Sequence, residues 1–122
     1  MKLNFGENAM DYKTIDVYFK KDKAIVTVKE KRIYLGITDV FRDDVLALME
    51  SEFQELVINM SEVAVMNSAG LGVLIMARDM IKKRNGRVKM THLQPLMKDI
   101  FARMRLDTLF EIYDDMEEAL SH

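Results

Sequence analysis

Three consecutive apolar residues, Leu56-Val57-Ile58, stand between polar neighbours and are bracketed by two helical patterns. A strand with one wet face alternates apolar and polar side chains, so an unbroken apolar run this short indicates a strand covered on both faces. Upstream, Val40, Phe41, Val45, Leu48 and Met49 fall near one helical face. Downstream, Val73, Met76, Ala77, Met80 and Ile81 follow the i, i+3, i+4, i+7, i+8 spacing of a buried stripe. Helices on either side of an inner strand imply parallel pairing through right-handed crossovers, which makes the chain α/β.

The remaining elements fit around that centre. Ile15, Val17 and Phe19 alternate, Lys20-Lys21-Asp22-Lys23 reads as a turn, and alternation resumes through Ile25 or Val26 and Val28, predicting an antiparallel hairpin. Arg32 to Leu35 continues the second strand or forms a short one of its own, until Gly36 interrupts it. Thr38 is the predicted N-cap of the first long helix, with Asp39 in its first turn. Asn85-Gly86 ends the helix that starts at Ser68. Arg87 to Thr91 is predicted as a strand with Val88 and Met90 on one face. Pro95 opens a helix carrying Met97, Ile100, Phe101 and Met104, then comes a strand from Leu109 to Tyr113 and a short helix capped by Asp114. The expected architecture is a single domain with a mixed four- to five-stranded sheet and about four helices. Residues 1–13 lack any period and are expected to be a frayed lead-in to a folded domain at 14–122.

A chain of 122 residues supports one core. Its formal net charge of -2 gives no footprint for nucleic acid. Arg78, Lys82, Lys83, Arg84, Arg87 and Lys89 are expected to be a solvated basic stretch, and Glu111, Asp114, Asp115, Glu117 and Glu118 an acidic terminus. There is no cysteine, and no apolar run approaches the ~20 residues that span a bilayer, so a cytoplasmic location without membrane contact is expected. The eleven methionines lie mostly on the helical stripes as core fillers and imply no cofactor.

The chemistry concentrates between Asn59 and Gly72. Ser68 stands at a helix start, where its hydroxyl is expected either to cap the helix or to be presented for modification. Gly70 and Gly72 are poor helix formers, ~1 kcal/mol each below alanine, so close approach of another backbone or of a partner is expected there. A nucleophile elbow needs G-x-S-x-G, but Met66 occupies the first glycine position and the only histidines are His92 and His122, so an enzyme is not expected. The Walker sequence and G-x-G-x-x-G are both absent.

The segment from Leu56 to Gly72 resembles the signature of the STAS domain, shared by anti-sigma factor antagonists and the cytoplasmic tails of sulfate transporters. There a strand ending in Asn or Asp leads to an Asp-Ser-Ser/Thr-Gly-Leu-Gly helix start. Asn59 matches the strand end, and Gly70, Leu71 and Gly72 match the Gly-Leu-Gly. Ser68 matches the serine that the antagonists have phosphorylated. Asn67 stands where the family usually has aspartate, and Ala69 replaces the second hydroxyl. A second family acid, in a Gly-x-x-Asp context, matches Gly36-Ile37-Thr38-Asp39, whereas setting the helix start on Thr38 puts Leu35 at that place. The resemblance implies that Asn67, Ser68, Ala69, Gly70, Leu71, Gly72 and Asp39 contact an anti-sigma factor that resembles a serine kinase. It implies too that phosphorylation of Ser68 breaks the contact and a phosphatase restores it. A scaffold of the same fold, or a nucleotide- or anion-binding regulatory module, is the alternative.

Overall fold

In a computed structural model, residues 12–122 are described. Strands β1 (Ile15–Lys20) and β2 (Lys23–Val28) form the expected hairpin, in unbroken register from Ile15 opposite Val28 to Lys20 opposite Lys23. There follow β3 (Arg32–Ile33), α1 (Gly36–Leu48), β4 (Glu55–Asn59), β5 (Val65–Met66), α2 (Ser68–Lys83), β6 (Arg87–Thr91) and α3 (Pro95–Arg103). A 3-10 turn (Leu106–Thr108), β7 (Glu111–Tyr113) and α4 (Met116–Leu120) complete the chain. Among the described residues the main sheet has the order β1-β2-β4-β6-β7, antiparallel only between β1 and β2. β4 is central, as its three apolar residues require.

The stretch from Arg32 forms the short strand of its own, β3, but sequence periodicity overlooks its partner β5. β3 and β5 pair in parallel as a separate two-stranded sheet, Arg32 opposite Val65 and Ile33 opposite Met66. Two residues are too few to display a period. The boundaries also shift at the C-terminus. β7 begins at Glu111 because Leu109 N–H is already bonded to Leu106 O at 2.9 Å in the 3-10 turn. Asp115, not Asp114, caps α4, accepting from Glu118 N at 2.8 Å, while Glu118 Oε1 reaches back to Asp114 N at 3.1 Å.

The cores on the two sides of the sheet differ. Phe41, Val45 and Leu48 of α1, with Leu74 and Ala77 of α2, close over Val26, Val28, Leu56 and Ile58. Each fully buried side chain of this size contributes ~1.5–3 kcal/mol. On the other side the expected solvated basic stretch fails at its last residue: Lys89 is fully buried. Its Nζ donates to Ala119 O at 2.7 Å, lies 3.0 Å from Glu55 Oε2, and sits 5.8 Å from the centre of the Tyr113 ring. The residues around Lys89 in sequence do not reveal this, because the burial comes from α4 folding back over β6.

Local signals explain the joints. Asn85 takes φ 61 behind α2, and Gly86 N–H returns to Ile81 O at 2.9 Å. A Cβ on Gly86 would collide with the backbone carbonyl of Gln54, so only glycine fits. At the other end of the domain the buried Asp44 Oδ2 accepts from Lys13 N, Thr14 N and Thr14 Oγ1 at 3.1, 2.7 and 2.6 Å. Lys13 is therefore anchored, and residues 1–11 of the expected lead-in lie outside the described residues.

Candidate functional site

The start of α2 is fixed by its neighbour in sequence. Asn67, with extended backbone (φ -76, ψ 174), is the N-cap, and its Oδ1 accepts from Gly70 N at 2.8 Å. The cap expected of Ser68 is thus made one residue earlier. A side-chain oxygen reaches the third N–H of a helix from the residue before its first turn, and Asn67 occupies that place. Ser68 is exposed and takes no part in the cap. Its hydroxyl stands at the positive end of a 16-residue helix.

A second stretch of chain is held against this one. Asn67 N–H donates to Ile33 O at 2.9 Å, continuing the β3–β5 pairing, and Thr38 Oγ1 donates to Asn67 Oδ1 at 3.2 Å. Thr38, the expected N-cap of α1, is instead the helix's third residue, buried, with its hydroxyl turned to α2. The N-cap position belongs to Leu35, which has φ 52, ψ -133 and no side chain able to cap. Tyr34 O accepts from Ile37 N at 3.2 Å across that turn, leaving Leu35 78% exposed. The left-handed φ is strained for leucine, and Gly36 follows it. An open groove lined by Lys31, Arg32, Tyr34, Leu35, Ile37 and Val40 runs beside the turn.

The expected contact residues separate into two layers. Ser68, Ala69 and Gly72 are exposed, and a Cβ on Gly72 would meet nothing within 4 Å. Gly70 and Leu71 are buried beneath them. A Cβ on Gly70 would collide with the Met66 side chain, so the close approach inferred for the glycines is internal at Gly70. Asp39 is exposed in the first turn of α1 and pairs with Arg42 at 2.9 Å. Asn59, at the strand end, accepts from Ser61 N at 2.9 Å in a local turn. His92 lies at the end of β6 with Nδ1 2.9 Å from Thr91 Oγ1. Sequence reasoning names Leu35 only as an alternative to Asp39 and Thr38 only as a helix cap, and misses the Thr38 bond to Asn67; the Leu35-Gly36 pair is the available signal for a tight turn.

Among the described residues no helix is long and apolar enough to cross a membrane. The family model of the STAS domain matches residues 14–119. An anti-sigma factor antagonist from Mycobacterium paratuberculosis superposes with a TM-score of 0.78 at 22% identity, over 88% of this chain and 91% of that one. An anti-sigma-factor antagonist (STAS) domain protein from Planctomyces limnophilus gives 0.78 at 17% identity, over 87% and 93%. The Bacillus cell fate determinant SpoIIAA in its phosphorylated form gives 0.68 at 14% identity, over 88% and 96%. At such identities the likeness is one of fold.

Proposed function

This chain belongs to the STAS domain family, and on that footing we propose that it is an anti-sigma factor antagonist switched by phosphorylation of Ser68. The observation that carries the reading is the division of labour at the start of α2. Asn67 makes the cap, so the exposed Ser68 hydroxyl is left for modification without loss of the helix. In the unphosphorylated state Ser68, Ala69 and Gly72 give a partner a smooth, neutral contact, with Asp39 at its margin. The partner is an anti-sigma factor resembling a serine kinase, met in the cytoplasm.

Phosphorylation adds about -1.5 to -2 charges and three acceptor oxygens at the centre of that contact. Free N–H groups at the helix start and the positive dipole end favour the anion within the protein, so the desolvation falls on the partner. A loss of ~3 kcal/mol in contact weakens binding roughly a hundredfold, enough to reverse a competition. A phosphatase resets the switch. Asn67 supplies the cap oxygen without a carboxylate's charge, so the phosphate meets no neighbouring anion at position 67.

The test is co-purification from the native cells with wild type, Ser68→Ala and Ser68→Asp. Wild type and Ser68→Ala are expected to retain the same kinase-like partner, and Ser68→Asp to retain at least tenfold less. Equal recovery by all three would sink the switch. The absence of the family's aspartate at position 67 favours a second reading, a scaffold of this fold that is not phosphorylated. An intact-mass measurement on protein from native cells that never shows an added phosphate would support it.

A further inference from the structure

Among the described residues β1 is an outer strand of the main sheet, with only β2 beside it. Its six residues contain no proline, and the register with β2 has no bulge. Thr14 O accepts from Lys29 N at 2.8 Å. By the alternation of an antiparallel ladder, the backbone groups of Asp16, Tyr18 and Lys20 then point toward β2, and those of Ile15, Val17 and Phe19 point outward. A straight edge of this kind is a template for another strand.

We propose that β1 pairs with β1 of a second copy of this chain, antiparallel about a two-fold axis at Tyr18. Outward-pointing backbone groups meet: Val17 forms a hydrogen-bonded pair with the partner's Phe19, and symmetry repeats it. Tyr18 faces the partner's Tyr18 in the close, non-hydrogen-bonded pair, and Asp16 faces the partner's Lys20 on either side. All four of Asp16, Tyr18, Phe19 and Lys20 are exposed, with Tyr18 at 58%. The register is selected by charge. Slipping to Val17 on the partner's Val17 also joins outward groups, yet sets Asp16 against the partner's Tyr18 and leaves Lys20 without an acid. A six-residue edge is small beside the ~1,600 Å² of a standard interface, so the dimer is weak and concentration-dependent. It leaves both Ser68 sites open, because the loop to Ser68 leaves the sheet after β4, two strands in from β1.

The chain has no cysteine, so Tyr18→Cys places one thiol on the axis, where facing Cα atoms ~4.5 Å apart are within disulfide reach. Mild oxidation of the full chain is expected to give a covalent dimer with Tyr18→Cys and at least tenfold less with Asp16→Cys or Val17→Cys. In sedimentation equilibrium, wild type is expected to dimerise reversibly, Asp16→Lys to weaken association about tenfold, and the swap Asp16→Lys/Lys20→Asp to restore it. A chain that stays monomeric at several hundred micromolar overturns the proposal, whatever covers the edge. So does a cross-link strongest at Val17→Cys, or a dimer indifferent to Asp16→Lys.

Discussion

In three adjacent strands Ala24, Leu56 and Val88 stand abreast, and one residue further along each strand so do Ile25, Val57 and Lys89. The first row lies under α1 and α2 and belongs to an aliphatic core. The other row faces the opposite side of the sheet, where α4 closes over Lys89 and Glu55. Ala24, Leu56 and Val88 are buried by apolar chemistry alone; Lys89, as deeply buried, is not. On its face Glu55 Oε2 is approached by two ammonium groups, Lys89 at 3.0 Å and Lys23 at 3.4 Å, and the last turn of α4 supplies a carbonyl. A short terminal helix is thus held through a buried cation, where the long helices are held through apolar side chains.

The contrast is broken most severely by Lys89→Ala, which leaves Glu55 to Lys23 alone, opens a cavity and frees α4. A loss of about 3–5 kcal/mol is expected in urea unfolding. Lys89→Met should lose less, because it fills the volume and Lys23 still neutralises Glu55; equal losses would show that the charge, not the packing, holds α4. On the apolar face Leu74→Ala should lose about 2–5 kcal/mol by the same measurement, without change in the protection of α4 amides from hydrogen exchange. Loosening of α4 in that variant would mean that the two faces are not independent.

The smallest effect is at the rim of the ionic face. Arg87 Nε donates to Glu111 Oε2 at 2.9 Å, and this bond, aided by the Tyr113 hydroxyl, holds the Glu111 carboxyl below its ordinary range. The folded chain therefore binds that proton less tightly than the unfolded chain. The stabilisation is complete above the unfolded value near 4.5 and is lost as pH falls through the folded one. Both side chains are more than a third exposed, so solvent limits the effect to under ~1 kcal/mol. Arg87→Ala should flatten the acid side of the stability curve and lower the plateau near pH 7 by no more than that.

How far the sequence reveals these features depends on the range of the interaction. Leu56-Val57-Ile58 announces a central strand because burial on both faces is written into consecutive residues, and Pro95 opens α3 as a proline at a helix start does. Val65-Met66 is too short to carry a period, so the small sheet that positions Asn67 is invisible to pattern reading. At the helix starts near Ser68, Thr38 and Asp114 the true N-cap is a close neighbour in sequence, since several hydrogen-bonding side chains crowd these joints and, at Leu35, the cap position carries none. Lys89 escapes for a different reason. Its burial depends on Ala119, 30 residues away, and nothing around Lys89 signals that contact.

Asn67 receives the Thr38 hydroxyl and the Gly70 N–H on one oxygen, and gives its own N–H to Ile33. Two helix starts, with Thr38 and Asn67 29 residues apart in sequence, are thereby fastened to a single atom. Ordering a residue's backbone costs about 1–2 kcal/mol, and here that loss is settled during folding, before any encounter. On the proposed reading a partner would meet a surface already assembled, and its binding energy would not be spent on ordering these residues.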